Sequence, residues 1–254
     1  MLQTVPVSFR NNVEAIIVDN SGELTNQSGC CTLTGFQRLR LVSPGQNLGY
    51  FGGANAGYAA RDDHLDPDIT MIANPDLLFS DGFFDQLATQ SALWPSDAGV
   101  IFPAVKDSAT QRDSNPFLRT RPDVKYLDTR IFFFGSRLRY SVWMLLHLVK
   151  SKLRKRPQAS AIEHSINPIY AGHGSLFLFL PAYFTNGASL AFESFLYAEE
   201  LFVAEMCRNA GLKPFHDTAL LVDHVSHITT STLPSEQRRK WQHESLSYIR
   251  QRFF

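Results

Sequence analysis

Four short patterns place acidic, amide and glycine residues where a ligand could be handled. The apolar run Val13–Val18 ends in Asp19-Asn20-Ser21-Gly22. A glycine-rich stretch follows, Asn47-Leu48-Gly49-Tyr50-Phe51-Gly52-Gly53-Ala54-Asn55-Ala56-Gly57. The apolar run Ile69–Ala73 then closes on Asn74-Pro75-Asp76, and an aromatic run at 192–197 leads into Glu199-Glu200. Glycines at 49, 52, 53 and 57 let the backbone approach a ligand and leave N–H groups free for an anion. The lone carboxylate of Asp76 suits a site that shares a hard divalent cation, Mg²⁺ or Mn²⁺, with phosphate and water oxygens. The order of these pieces suits a nucleotide diphosphate and its metal ion.

Each pattern also has a purely structural reading. Asp19-Asn20 and Asn74-Pro75-Asp76 are good turn formers. Glycines serve tight helix–sheet crossings as readily as ligands, and the stretch has neither the dinucleotide fingerprint nor a P-loop lysine. Acidic residues stabilise a helix N-terminus, so Glu199 and Glu200 fit the start of a helix on that ground alone. The same dipole favours the ionised carboxylate that a general base needs, and adjacent helical residues diverge by about 100°, so only one of the pair points squarely into a pocket. His224, near His216 and His227, is a candidate to complete a metal site or an ordinary hydrogen-bonding histidine.

The elements that must position these residues alternate. Val13–Val18, Leu39–Val42, Asp68–Ala73, Gly99–Phe102, Tyr170–Leu180 and Thr218–Val222 read as strands, the fourth stopped by Pro103. Helices are expected from Gly53 to Arg61, from Asp81 (as N-cap) to Gln90, from Glu199 to Asn209 with Gly211 closing it, and over 235–254. Such alternation predicts an α/β sheet with much parallel character. Asp19 and Asp76 then fall at strand C-terminal ends, where open α/β sheets place their ligands.

Lysine plus arginine equals aspartate plus glutamate over the 254 residues, which gives no field to attract nucleic acid. Three cysteines, with Cys30 and Cys31 adjacent, make no disulfide framework and no zinc spacing, consistent with reduced thiols in the cytoplasm. No secretory signal is visible, and no run reaches the ~18 apolar residues of a membrane span. Of twenty phenylalanines most belong in the core, with some left for a groove or a membrane-facing surface. Between Thr129 and Ile162 there is no acidic residue, while Arg137, Arg139, Lys150, Lys152, Arg154, Lys155 and Arg156 are positive around the apolar run Tyr140–Val149. That segment fits a helix on the anionic inner face of the cell membrane, or a core helix with a solvated basic tail.

Val18-Asp19-Asn20-Ser21, the stretch from Asn47 to Gly57, Asn74-Pro75-Asp76, and Phe195–Glu200 through Gly211 to Val222-Asp223-His224 together resemble the family 2 glycosyltransferases, in particular rhamnosyltransferase-like members that build bacterial surface polysaccharides. The resemblance covers roughly residues 13 to 230. It implies the GT-A fold over 1–234 (a mixed, mostly parallel sheet flanked by helices, with 129–162 as a basic insertion) followed by a C-terminal helix at 235–254. It also implies an inverting mechanism, a nucleotide-diphospho-sugar donor and a glycan or lipid-linked acceptor. Asp19 and Asn20 would meet the base or ribose, and Asn47, Gly49, Gly53, Asn55 and Asn74 would line the donor. Asp76, with His224, would hold the metal ion, and Glu200 or Glu199 would stand where the family has a catalytic aspartate. Only about a dozen residues precede Val13, too few for the strand and helix with which the family begins; Val5–Ser8 is the one stretch there that imitates a strand. A fold without that unit is expected, and with it a rival reading: a catalytically inactive sugar-nucleotide-binding or scaffold relative.

Overall fold

The computed structural model describes residues 1–24, 35–62, 64, 66–153, 164–225 and 235–254, and of 149–153 the backbone only. Cys30, Cys31, Arg154, Lys155, Arg156 and His227 lie outside the described residues, as do the side chains of Lys150 and Lys152. Eight strands are described: β1 (Glu14–Val18), β2 (Arg38–Val42), β3 (Thr70–Ala73), β4 (Leu77–Phe79), β5 (Ala98–Asp107), β6 (Ile166–Pro168), β7 (Leu176–Phe179) and β8 (Lys213–His224). Between them run α1 (Gly49–Ala59), α2 (Phe83–Gln90), α3 (Val124–Phe134), α4 (Arg137–Leu153), α5 (Pro181–Thr185) and α6 (Glu199–Asn209), with α7 (Ser235–Phe253) at the end.

The main sheet has the order β3-β7-β5-β8-β4, with β6 also paired to β8; β1 and β2 form a separate parallel pair. The two longest ladders, β5 on β8 and β1 on β2, are parallel, and shorter antiparallel ladders attach β3, β4, β6 and β7. The sheet is therefore mixed and is flanked by helices on both faces. Strands β5 and β7 are buried on both sides, so their sequences are apolar without alternation. Their side chains still alternate in space. Val100, Phe102, Phe177 and Phe179 face a core with α1, α3, α5, α6 and α7, while Ile101, Val105, Leu176 and Leu178 face α2 and Val5. Phenylalanine fills the first core: Phe51 on α1 meets Phe177, Phe192 and Phe202 edge-on at 5.3 to 6.4 Å.

Several boundaries differ from the sequence reading. Pro103 does not stop β5; a register shift between Pro103 and Ala104 accommodates the missing N–H, and the strand continues to Asp107. Gly82, in the left-handed region at φ 77°, rather than Asp81, is the N-cap of α2. Val5–Ser8 is no strand: residues 2–4 and 7–12 are 3₁₀ turns, and Val5 between them is buried beneath α2's side of the sheet. The glycine-rich stretch is no loop either, because α1 starts at Gly49.

Candidate active site

That helix start explains most of the glycines. The interior glycines 52, 53 and 57 cost about 1 kcal/mol each relative to alanine, while Gly49 opens the helix in the left-handed region at φ 75°, where glycine is favoured. They persist because α1 lies almost against β1 and the 192–198 segment. A Cβ on Gly49 would stand 1.9 Å from the Phe195 carbonyl oxygen, and one on Gly53 would stand 2.6 Å from the Asn20 amide nitrogen. Asn20 is the staple: its Nδ2 donates to the Gly49 carbonyl at 2.8 Å, and its Oδ1 accepts from Leu48 N–H at 3.3 Å. Asn47 Oδ1 accepts the Gly49 N–H at 2.9 Å. Asn55 sits on the exposed side of α1 and does not line the cavity described next.

A cavity of about 1860 Å³ opens along β1, β3, α1 and the start of α6. Ligand pockets are commonly about 300–1000 Å³. The extra room has a structural cause. Among the described residues strand β1 pairs only with β2, and β3 only with β7, and both line the cavity along their whole lengths. Asp19, Asn20, Asn47, Gly49, Gly53, Asn74, Asp76, Glu199, Glu200 and His224 all border it.

Asp19 is engaged by its own turn. Its Oδ1 accepts from Ser21 N–H, Ser21 Oγ and Gly22 N–H, and its Oδ2 from Leu24 N–H, at 2.8 to 3.1 Å. The Ser21 hydroxyl and these amides hold the carboxyl below the usual range. Asn74 N–H donates to the Ser175 carbonyl, which fixes the end of β3 beside β7. Asp76 follows, and the pairing of Leu77 with His224 in β4–β8 brings the histidine to it. His224 Nε2 lies 3.2 Å from Asp76 Oδ2, while Asp76 Oδ1 is buried with no hydrogen-bond partner. The Met1 ammonium donates to the Pro75 carbonyl at 3.4 Å.

Glu199 and Glu200 start α6 from an unusual backbone. Tyr197 and Ala198 are both left-handed, at φ 75° and 65°, a conformation that costs L-residues about 1 kcal/mol or more each. The bend lets Glu199 Oε1 accept the Tyr197 N–H at 2.9 Å. Glu200 reaches the other wall, accepts the Gly174 N–H, and leaves no space for a Cβ there. Burial, then the neighbouring Glu200, raises Glu199 to about 8, and burial raises Glu200 as well. The helix N-terminus thus does not keep the pair ionised; removal from water outweighs it.

Two further residues complete the constellation, and the sequence reading did not single them out. Tyr50 on α1 borders the cavity, and its phenol is buried without a partner. Burial raises it well above the ordinary tyrosine range, with further contributions from Glu199, Glu200 and Asp76, so all three carboxylates lie within electrostatic reach of one hydroxyl. His173 sits between Gly172 and Gly174, with Nδ1 2.9 Å from Ser175 Oγ and its ring 5.9 Å from that of His224. A tyrosine inside the glycine run and a histidine between glycines were the available signals.

The donor set fits a hard divalent cation held jointly with a ligand. Asp76 offers a free buried oxygen and His224 an imidazole, and among the described residues no group of three His, Cys, Asp or Glu could hold an ion unaided.

No protein-family model and no curated protein sequence matches this chain. Among solved structures it is similar to GalNAc-T7 with UDP, GalNAc and Mn²⁺, at a TM-score of 0.56 and 11% identity. The match covers 90% of this chain and 40% of that one, so the chain spans about two fifths of that protein's length. At that identity the likeness establishes the fold, which is GT-A.

Proposed function

We propose that this chain is a glycosyltransferase that moves a sugar from a nucleotide-diphospho-sugar to a hydroxyl of a glycan or lipid-linked acceptor, with inversion, at the cytoplasmic face of a bacterial membrane in surface-polysaccharide synthesis. One observation carries the reading: Asp76, with its unpartnered oxygen, and the Glu199–Glu200 pair converge on Tyr50 in a single cavity at the strand ends. GT-A neighbours such as the UDP- and Mn²⁺-bound structure support the donor class.

In this reading the donor lies over Gly49–Gly53 with its diphosphate toward Asp76. Mg²⁺ or Mn²⁺ held by Asp76 and His224 supplies neutralisation of the leaving diphosphate when bound. The acceptor hydroxyl approaches Glu200, the less buried of the pair. Its carboxylate takes the hydroxyl proton as the oxygen bonds to the anomeric carbon, and the bond from that carbon to the diphosphate oxygen breaks with its electron pair. Burial keeps the proton on Glu199 up to about pH 8 and raises Glu200 as well, which strengthens Glu200 as a proton acceptor.

The test is product formation with a panel of nucleotide sugars and Mn²⁺. Glu200→Gln should lower turnover by about 10²–10⁴-fold, the usual worth of a general base. Wild-type turnover in both Glu200→Gln and Glu199→Gln would remove the base assignment. The second reading, a catalytically silent sugar-nucleotide-binding relative, is favoured by the open cavity between β1 and β3. Donor binding without product from any donor–acceptor pair would decide for it.

A further inference from the structure

Helix α4 carries an apolar face that no described element covers. Its inward side is accounted for: Trp143 packs on Phe133 and Phe134, and Tyr140 on Phe134, with centroids 5.2 to 6.0 Å apart. The opposite side presents Leu138, Val142, Leu145 and Leu146, spaced i, i+4, i+7, i+8 on one helical stripe. They are 77%, 44%, 62% and 56% exposed. Phe132, at the end of α3 and 57% exposed, lies beneath the Arg139 guanidinium at 4.2 Å and extends the patch. A helix of a water-soluble surface turns such a stripe inward; this one turns it out.

From Thr129 onward the charge carried by the hairpin itself is of one sign. From Thr129 to Ile162 the chain has no aspartate or glutamate, and it carries Arg130, Arg137, Arg139, Lys150 and Lys152 on α3 and α4. Glu236 on α7 pairs with Arg137 at 2.9 Å, and Asp128 on α3 with Arg250, so acid near this hairpin is already matched by base. A second copy docked face to face across a twofold axis would bring cations against cations, with no acid in the segment to answer them. An anionic bilayer answers both features, with acyl chains for the leucines and headgroups for the cations. Crossing the bilayer is not on offer: no helix among the described residues is long and apolar enough.

We propose that the α3–α4 hairpin is a docking face for anionic lipid bilayers, with α4 lying in the headgroup plane and Leu138, Val142, Leu145 and Leu146 directed into the acyl region. The proposal does not depend on the chemistry assigned above, because binding is read without turnover.

The experiment is flotation of the full chain with phosphatidylcholine vesicles, with and without phosphatidylglycerol. Flotation is expected with the anionic vesicles at low salt and should decline as salt screens the cations. The double variant Leu145→Glu/Leu146→Glu should float roughly tenfold less or worse, with unchanged circular dichroism because both positions are exposed. Leu138→Glu, at the other end of the stripe, should weaken flotation independently. Absence of wild-type flotation on anionic vesicles, or undiminished flotation of these variants, overturns the proposal. So does a lipid-free dimer, seen by light scattering, that the double variant dissociates, since the face would then be a protein–protein interface.

Discussion

Replacing Glu199 with glutamine should stabilise the protein in a pH-dependent way. The Glu199 carboxyl is 5% exposed and ionises near pH 8 rather than 4.5, because burial and Glu200 oppose its charge. A group whose folded-state pKa is raised favours folding fully below its unfolded pKa and loses that contribution as pH rises through the folded one. Wild type should therefore lose stability progressively between pH 4.5 and about 8 and then level off. At 1.36 kcal/mol per pH unit the full loss is on the order of 4–5 kcal/mol. Glutamine keeps the oxygen that accepts the Tyr197 N–H and carries no charge at any pH. Glu199→Gln should match wild type within about 1 kcal/mol near pH 5 and exceed it by several kcal/mol at pH 8.5. For a chain of this size each kcal/mol moves Tm by about 2–4 °C, so the variant should melt roughly 10 °C higher at pH 8.5. Thermal unfolding followed by circular dichroism at pH 5, 6.5 and 8.5 is the assay. A difference in Tm that is independent of pH, or a wild type that is the more stable form at pH 8.5, would refute the burial argument.

Two further substitutions probe the same cavity. Asp76→Asn keeps the shape of β3–β4 but removes the carboxylate charge 3.2 Å from His224 Nε2; turnover should fall about 10²-fold or more, and the Mn²⁺ concentration needed for half-activity should rise. Gly53→Ala would raise stability by about 1 kcal/mol on an exposed helix, yet here its Cβ meets the anchored Asn20 amide at 2.6 Å, so a net loss of about 1–3 kcal/mol is expected in urea unfolding.

The sequence by itself determined the local features. Apolar runs closed by Asp19-Asn20 and Asn74-Pro75-Asp76 marked strand ends, and Glu199-Glu200 ahead of Gly211 marked α6, because turns, caps and strand lengths are set by consecutive residues. Where the local signal was ambiguous, the tertiary structure decided. The glycines at 49 and 53 read equally as ligand loop or packing; only the fold shows that Phe195 and Asn20 leave no room for a Cβ at either, while both still border the cavity. His224 reaches Asp76, 148 residues earlier, only through the β4–β8 ladder, and no local spacing encodes that pairing. Pro103 inside β5 needed the neighbouring strand to show its register shift. Tyr50 became part of the cavity only when α1 was laid beside α6 and β3. The protonation of the glutamate pair reversed the expectation from the helix dipole, because burial belongs to the whole fold while a dipole belongs to one helix. The amphipathic pattern of α4 was plain in its residues, but periodicity alone does not say which side of a helix faces the core; only the packing of Tyr140 and Trp143 turned the leucines outward.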